Sequence, residues 1–168
     1  MRSQRKNAII SILFIVFGGP AILLVYAPLW LTHFRIPADE PRWQQLLACA
    51  LIAAGVTPAL ESAARFVRVG KGTLVPVTAT EHLVVSGFYR YVRNPMYVGV
   101  MAALAAEAVL FRSTVLLVEL VLALIGFNLF VCLYEERTLA KRYGNEYVEF
   151  MRNVPRWLPR MTPWNGES

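Results

Sequence analysis

The stretch "NPMYVGVMAALAAEAVLFRSTVLLVELVLALIGFNLFVCLY", residues 94–134, decides the fold. It holds two apolar runs back to back, 96–111 and 113–134, with Arg112 alone between them. A helix crosses the hydrocarbon core of a bilayer with roughly 20 apolar residues. Lipid offers backbone N–H and C=O groups no partners, so a run that enters it satisfies them internally as helix. The pattern predicts a helical hairpin in a membrane, turned tightly at Arg112.

Two more runs of this kind lie upstream, at 7–31 and from 43 to about 64. Composition agrees, with 57% hydrophobic and 17% charged residues, where a soluble domain carries roughly 25% charged. The first run is too long for a cleaved signal peptide, and no small-residue cleavage site with a soluble domain follows it. Gly18-Gly19-Pro20 and Pro58 fall inside the first and second runs. Each is expected to bend its helix, because proline removes a backbone donor and clashes with the preceding turn.

With four spans both termini share one side of the membrane. Of the 17 basic residues, 14 lie on that side: three before the first span, five between Arg65 and Arg93, and six in the tail. Only Arg35, Arg42 and Arg112 lie opposite. Lys and Arg mark the cytoplasmic side, so the termini and the loop after the second span are expected there. The net charge of +6 then reads as topology rather than as a nucleic-acid footprint. The expected fold is all-α: one integral membrane domain over 1–168, a polytopic bundle of about four transmembrane helices. A cytoplasmic loop and a C-terminal interfacial helix complete it. In that last helix Leu139, Tyr143 and Tyr147 recur every fourth residue, with Phe150 and Met151 nearby, and Gly144 interrupts it. Its apolar face suits a membrane surface, as Trp157 and Trp164 suit the head-group zone.

Several chemistries find no footing. Cys49 and Cys132 sit in apolar runs without metal-ligand spacing. "GKGT" at 70–73 lacks the full spacing and context of a phosphate loop. No GxGxxG after a strand, GxSxG or HExxH occurs.

Polar groups concentrate instead at the threshold of the hairpin, in "GFYRYVRNPMYVGV" at 87–100, and just beyond it, in "YEERTLAKRYG" at 134–144. Asn94-Pro95 is a good helix start: Asn caps free donors and Pro fits the first helical position. The positive end of that helix favours an anionic group. Alternatively the Asn-Pro pair is only a cap, with Tyr89, Tyr91 and Tyr97 an interfacial aromatic belt. Gly99 permits close packing. Glu135 and Glu136 sit at a helix C-terminus, against the dipole. They call for a cation, either Arg90 or Arg93 in a structural salt bridge or a ligand ammonium. Glu61, Glu107 and Glu119 lie within spans, where carboxylates are costly. Glu61 and Glu107 are near enough to span ends to be solvated, and the role of Glu119 stays open.

Read together, "HLVVSGFYRYVRNPMYVG" and "EERTLAKRYGNEYVEFMRNVPRWLPR" resemble the membrane methyltransferases that include isoprenylcysteine carboxyl methyltransferase and the phospholipid N-methyltransferases. The likeness covers roughly residues 80–159. It implies S-adenosylmethionine as cofactor, bound at the cytoplasmic face by His82, Leu83, Val84, Val85, Tyr89, Asn94, Pro95, Met96, Tyr97 and Glu135. Two positions differ from the prenylcysteine enzymes: Asn94 stands where they usually show His, and Val131 where they place a basic residue for the substrate carboxylate. The second difference argues against a prenylcysteine acceptor and leaves methyl transfer intact. The resemblance thus implies methyl transfer to a lipid-soluble acceptor: a prenylcysteine-like acid, a phospholipid amine or another hydrophobic small molecule. Glu136 or a Tyr is the expected proton acceptor for an amine, and Arg93 an acceptor contact. No metal and no nucleic acid is expected. The alternatives are a membrane reductase using a nicotinamide cofactor, similar around an "RxPxYxG"-like stretch, and a non-catalytic membrane scaffold. The acceptor and the oligomeric state are not legible.

Overall fold

The hairpin forms where the apolar runs place it. In the computed structural model, which describes residues 18–33, 41–68 and 83–166, helix α3 runs Pro95–Leu110 and helix α4 runs Thr114–Phe130. The chain reverses at Arg112, which adopts φ 49°. Ser113 starts α4 by accepting from the Leu116 N–H at 3.4 Å. Beyond Phe130 the helix widens into a π turn, Val131–Glu135, and continues as α5, Glu136–Tyr143. Gly144 breaks it at φ 59°, and α6 follows over Asn145–Asn153.

The first helix is described from Gly19–Ala21, through a π turn Ile22–Tyr26, to Ala27–Thr32, together α1. The π turn ends at Ala27, directly before Pro28, which has no N–H to give. Such widenings relieve a proline inside a helix. Helix α2, Arg42–Arg68, runs unbroken through Pro58. Among the described residues there is no strand. The start of the first span, the N-terminal basic residues, Arg35, the "GKGT" turn and His82 lie outside the described residues.

Two helices are long and apolar enough to cross a membrane, Arg42–Arg65 and Thr114–Tyr143; the stretches Ile22–Thr32 and Pro95–Leu110 are apolar but shorter. Large apolar side chains such as Leu46, Leu60, Leu122 and Ile125 point outward, as lipid-facing residues do. The interior between α2 and α3 is built from small residues. A Cβ on Gly55 would lie 2.8 Å from the Gly99 carbonyl oxygen, and one on Gly99 would lie 2.6 Å from the Gly55 carbonyl oxygen. Close backbone approach of this kind holds helices together in lipid, where burial of apolar surface drives nothing. Gly99 therefore permits close packing as expected, and what it meets is α2. Helix α3 lies between α2 and α4 and also touches α1.

The C-terminal helix departs from expectation. Its apolar face does not lie free for a membrane surface. Tyr147 and Phe150 are buried against Val84 and Tyr89, with Val154 completing the cluster and Trp164 stacked on Phe150 at 5.8 Å. The periodicity of an amphipathic helix fixes which face is apolar and not what covers it; here the segment from Leu83 to Arg90 covers it.

Candidate functional site

Two segments far apart in sequence meet at the start of α3. The first is Leu83 to Asn94, which includes a short 3₁₀ turn, Gly87–Arg90. The second is the tail after α6. It lies along the first through backbone bonds from Arg93 N–H to the Pro155 carbonyl (2.9 Å), Arg160 N–H to Tyr91 (3.0 Å) and Trp164 N–H to Arg90 (2.9 Å). Arg90 Nε also donates to the Trp164 carbonyl at 2.8 Å, and its guanidinium bonds Asn165.

Asn94 starts α3, with Pro95 at the first position, but its side chain caps nothing. The amide Nδ2 donates instead to the Arg156 carbonyl at 3.2 Å. The expected local cap is thus a long-range tie, made because the tail places an acceptor beside it.

The paired carboxylates separate into two roles. Glu136 accepts from Arg93 Nη1 at 2.7 Å and from Arg156 Nε and Nη2 at 2.8 Å each. Its charge is more than matched, and both of its oxygens are engaged. Of the two cations expected beside the pair, Arg93 is the one present, joined by Arg156. Arg93 and Glu136, expected as acceptor contact and base, therefore face each other. Glu135 differs: it accepts from the Tyr97 hydroxyl at 3.1 Å and joins no ion pair among the described residues.

Aromatic rings pack on the tyrosine that holds that carboxylate. Tyr97 lies 4.9 Å from Phe127 and meets Trp157 edge-on at 6.5 Å, centroid to centroid. Trp157 Nε1 donates to Asn128 Oδ1 at 3.1 Å. Phe127 lies two turns before Glu135 on one face of the helix, so its place was available from helical spacing. Arg156 and Trp157 carry no such signal, because the tail's fold brings them. Aromatic faces close to a carboxylate that joins no ion pair among the described residues make a setting for an organic cation.

Tyr89 is buried, and its hydroxyl has no partner among the described residues. Burial first, then the charges of Glu135 and Glu61, hold its phenol well above the ordinary range. Leu83 and Val85 pack around the apolar cluster, Val84 is inside it, and Pro95 is fully buried. Met96 is half-buried. Glu61, expected to be solvated, pairs with Arg65, and its Oε2 is buried without a partner among the described residues. Glu107, expected likewise, also buries an unpartnered Oε2, as does Glu119. No group of metal-ligating side chains occurs among the described residues.

Tyr147 gives a pH test of the tail's packing. Burial, then the charge of Glu136, pushes its phenol up from 10.0 to about 12. The folded state thus favours the neutral form, and the corresponding stability is full below pH 10 and lost as pH rises towards 12. In detergent the melting temperature is expected to fall by several degrees across that window. Tyr147→Phe is expected to flatten the fall; an equally steep fall in the variant would assign it to other groups.

A family model described as phospholipid methyltransferase matches residues 43–146. No curated protein matches the chain.

Proposed function

Because the chain belongs to the phospholipid methyltransferase family, whose members are membrane methyltransferases, we propose that it moves a methyl group from S-adenosylmethionine to the amine of a lipid. The observation that carries this reading is Glu135: a carboxylate with no cationic partner among the described residues, held by Tyr97, whose ring packs on Phe127 and Trp157. Such a site fits a positively charged organic group. S-adenosylmethionine, when bound, supplies a methyl group on a sulfonium that departs as a neutral thioether.

The remaining work falls to the chain's own residues. Glu135 and the rings favour positive charge beside them. Tyr97 orients the Glu135 carboxylate through its hydroxyl. Glu136 anchors Arg93 and Arg156, joining the segment before α3 to the tail, and so positions rather than reacts. Among the described residues the arginines around the site are engaged: Arg65 with Glu61, Arg93 and Arg156 with Glu136, Arg90 with the tail. That favours an amine over a carboxylate acceptor, which needs a free cation. A protonated amine must lose its proton before attack, and the Glu135–Tyr97 pair is the acceptor within reach. Holding the reactants together and excluding water supplies most of the remaining rate. Leu83, Val84, Val85, Tyr89, Asn94, Pro95 and Met96 remain part of the proposed donor site, as does His82, which lies outside the described residues.

On this reading α1 to α4 all span, α3 obliging the bilayer to thin locally because its 16 residues reach about 24 Å. The basic residues then put the termini and the site at the cytoplasmic face. The test incubates the purified chain with methyl-labelled S-adenosylmethionine and a total lipid extract. Label is expected in an amine-headed phospholipid, stable to mild alkali. Label released by alkali as methanol would mean a carboxyl acceptor. Absence of label together with binding of a nicotinamide cofactor would replace the proposal with a reductase.

A further inference from the structure

The tail holds two large apolar side chains in the open. Leu158 is 80% exposed and Met161 95%, more than any lipid-facing residue of the described helices. They do not sit on a loose end. The Pro155 carbonyl accepts from Arg93, Arg156 grips Glu136, and the N–H groups of Arg160 and Trp164 donate to Tyr91 and Arg90. Pro159 and Pro163 fix two further φ angles in between. The exposure of Leu158 and Met161 is therefore built in.

Trp157 decides where this stretch lies. Its indole N–H donates to Asn128 Oδ1 at 3.1 Å. Asn128 is exposed on α4, among Ile125, Leu129 and Leu133, which point outward. Helix α4 rises about 1.5 Å per residue, so Asn128 stands about 21 Å from its start at Thr114. A hydrocarbon layer about 30 Å thick, entered at the hairpin turn, still contains it. An amide there is costly unless it is bonded. The Cys132 thiol gives it only a long contact of 3.6 Å, and the indole gives the shorter one. Trp157 thus lies on the lipid-facing side of α4, and Leu158 is the next residue.

Charge agrees. Arg152, Arg156 and Arg160 surround the stretch, and no acidic residue occurs between Glu149 and Glu167. Apolar side chains framed by arginines suit the boundary between acyl chains and anionic head groups. The other groups of the tail that could occupy that boundary are already covered: the apolar face of α6 by Val84 and Tyr89, and Trp164 by Phe150.

We propose that Trp157–Met161 is a wedge seated in the bilayer. Leu158 and Met161 enter the acyl chains beside α4, and the neighbouring arginines stay among the head groups. The wedge rests on α4 crossing the membrane and is independent of methyl transfer.

The test uses the full chain in vesicles of phosphatidylcholine and phosphatidylglycerol. Cys49 and Cys132 are replaced by alanine, and a nitroxide is attached in turn at Leu158→Cys, Met161→Cys, Leu122→Cys and Glu146→Cys. Leu122 on α4 gives the lipid reference, and Glu146, exposed at the start of α6, the water reference. Power saturation compares oxygen, which concentrates in lipid, with a nickel chelate, which stays in water. At Leu158 and Met161 the ratio of oxygen to nickel accessibility is expected to approach that at Leu122 and to exceed that at Glu146 several-fold. A ratio like that of Glu146 at both positions would put the tail in water and overturn the proposal. Spin–spin broadening at Leu158 or Met161 that disappears on dilution with unlabelled chain would assign them to a contact with a second copy, and would overturn it too. A water-like ratio at Leu122 would deny that α4 spans, and the wedge would fall with it.

Discussion

On the proposed function, Glu135→Ala is expected to weaken donor binding severely while the helices stay assembled. Glu135 is the carboxylate at the site that no arginine neutralises among the described residues, and Tyr97 donates to it at 3.1 Å. Removing one member of a buried, hydrogen-bonded charge pair costs about 2–5 kcal/mol, and each 1.4 kcal/mol is about tenfold in affinity. The expected loss is therefore about thirtyfold or more. Glu135 is not an anchor of the fold, since the two guanidiniums beside it bind Glu136. Circular dichroism and detergent melting are expected to stay near wild type. Calorimetry with S-adenosylhomocysteine reads the effect. Unchanged affinity in a folded Glu135→Ala protein would remove the carboxylate from the donor site and the central observation from the proposed function.

Gly99→Leu is expected to disrupt the bundle itself. A Cβ at this position would already lie 2.5 Å from the Ala59 Cβ and 2.6 Å from the Gly55 carbonyl oxygen. The second neighbour is backbone in the middle of a helix and cannot turn aside. Helices α2 and α3 must separate, which forfeits their close contact. Overpacking a filled interior typically costs about 1–3 kcal/mol and sometimes more, and a leucine adds three further carbons beyond the Cβ. The expected readout is loss of the monodisperse peak in size-exclusion chromatography, or a melting temperature lower by about 5 °C or more. Gly126→Leu supplies the control, because a Cβ there meets nothing within 4 Å. Equal behaviour of the two variants would mean that α2 and α3 do not meet at Gly55 and Gly99.

The hairpin was legible because two apolar runs flank a single arginine, and lipid leaves such runs one backbone solution. The start of α3 was legible for a local reason, the Asn-Pro pair. The use of the Asn94 side chain was not, because its acceptor belongs to Arg156, which no spacing rule connects to it. The same holds for Glu136: the need for a cation followed from two adjacent carboxylates at a helix end, and Arg93 was within view. Arg156 came from the fold of the tail. Periodicity identified the apolar face of α6, but only tertiary structure showed it covered by Val84 and Tyr89. The burial of one Glu61 oxygen was not legible for a related reason. Position near the end of a span says nothing about the turn that Gly87 lets settle on it.

The tail's grip on residues 90–94 has a consequence for biosynthesis. Pro155, Arg156, Arg160 and Trp164 make the bonds that close the pocket's edge. A ribosome delivers them only after the hairpin has entered the bilayer. A growing chain that has not yet reached Trp164 therefore lacks the ties that hold residues 90–94, so this corner closes after the hairpin has formed.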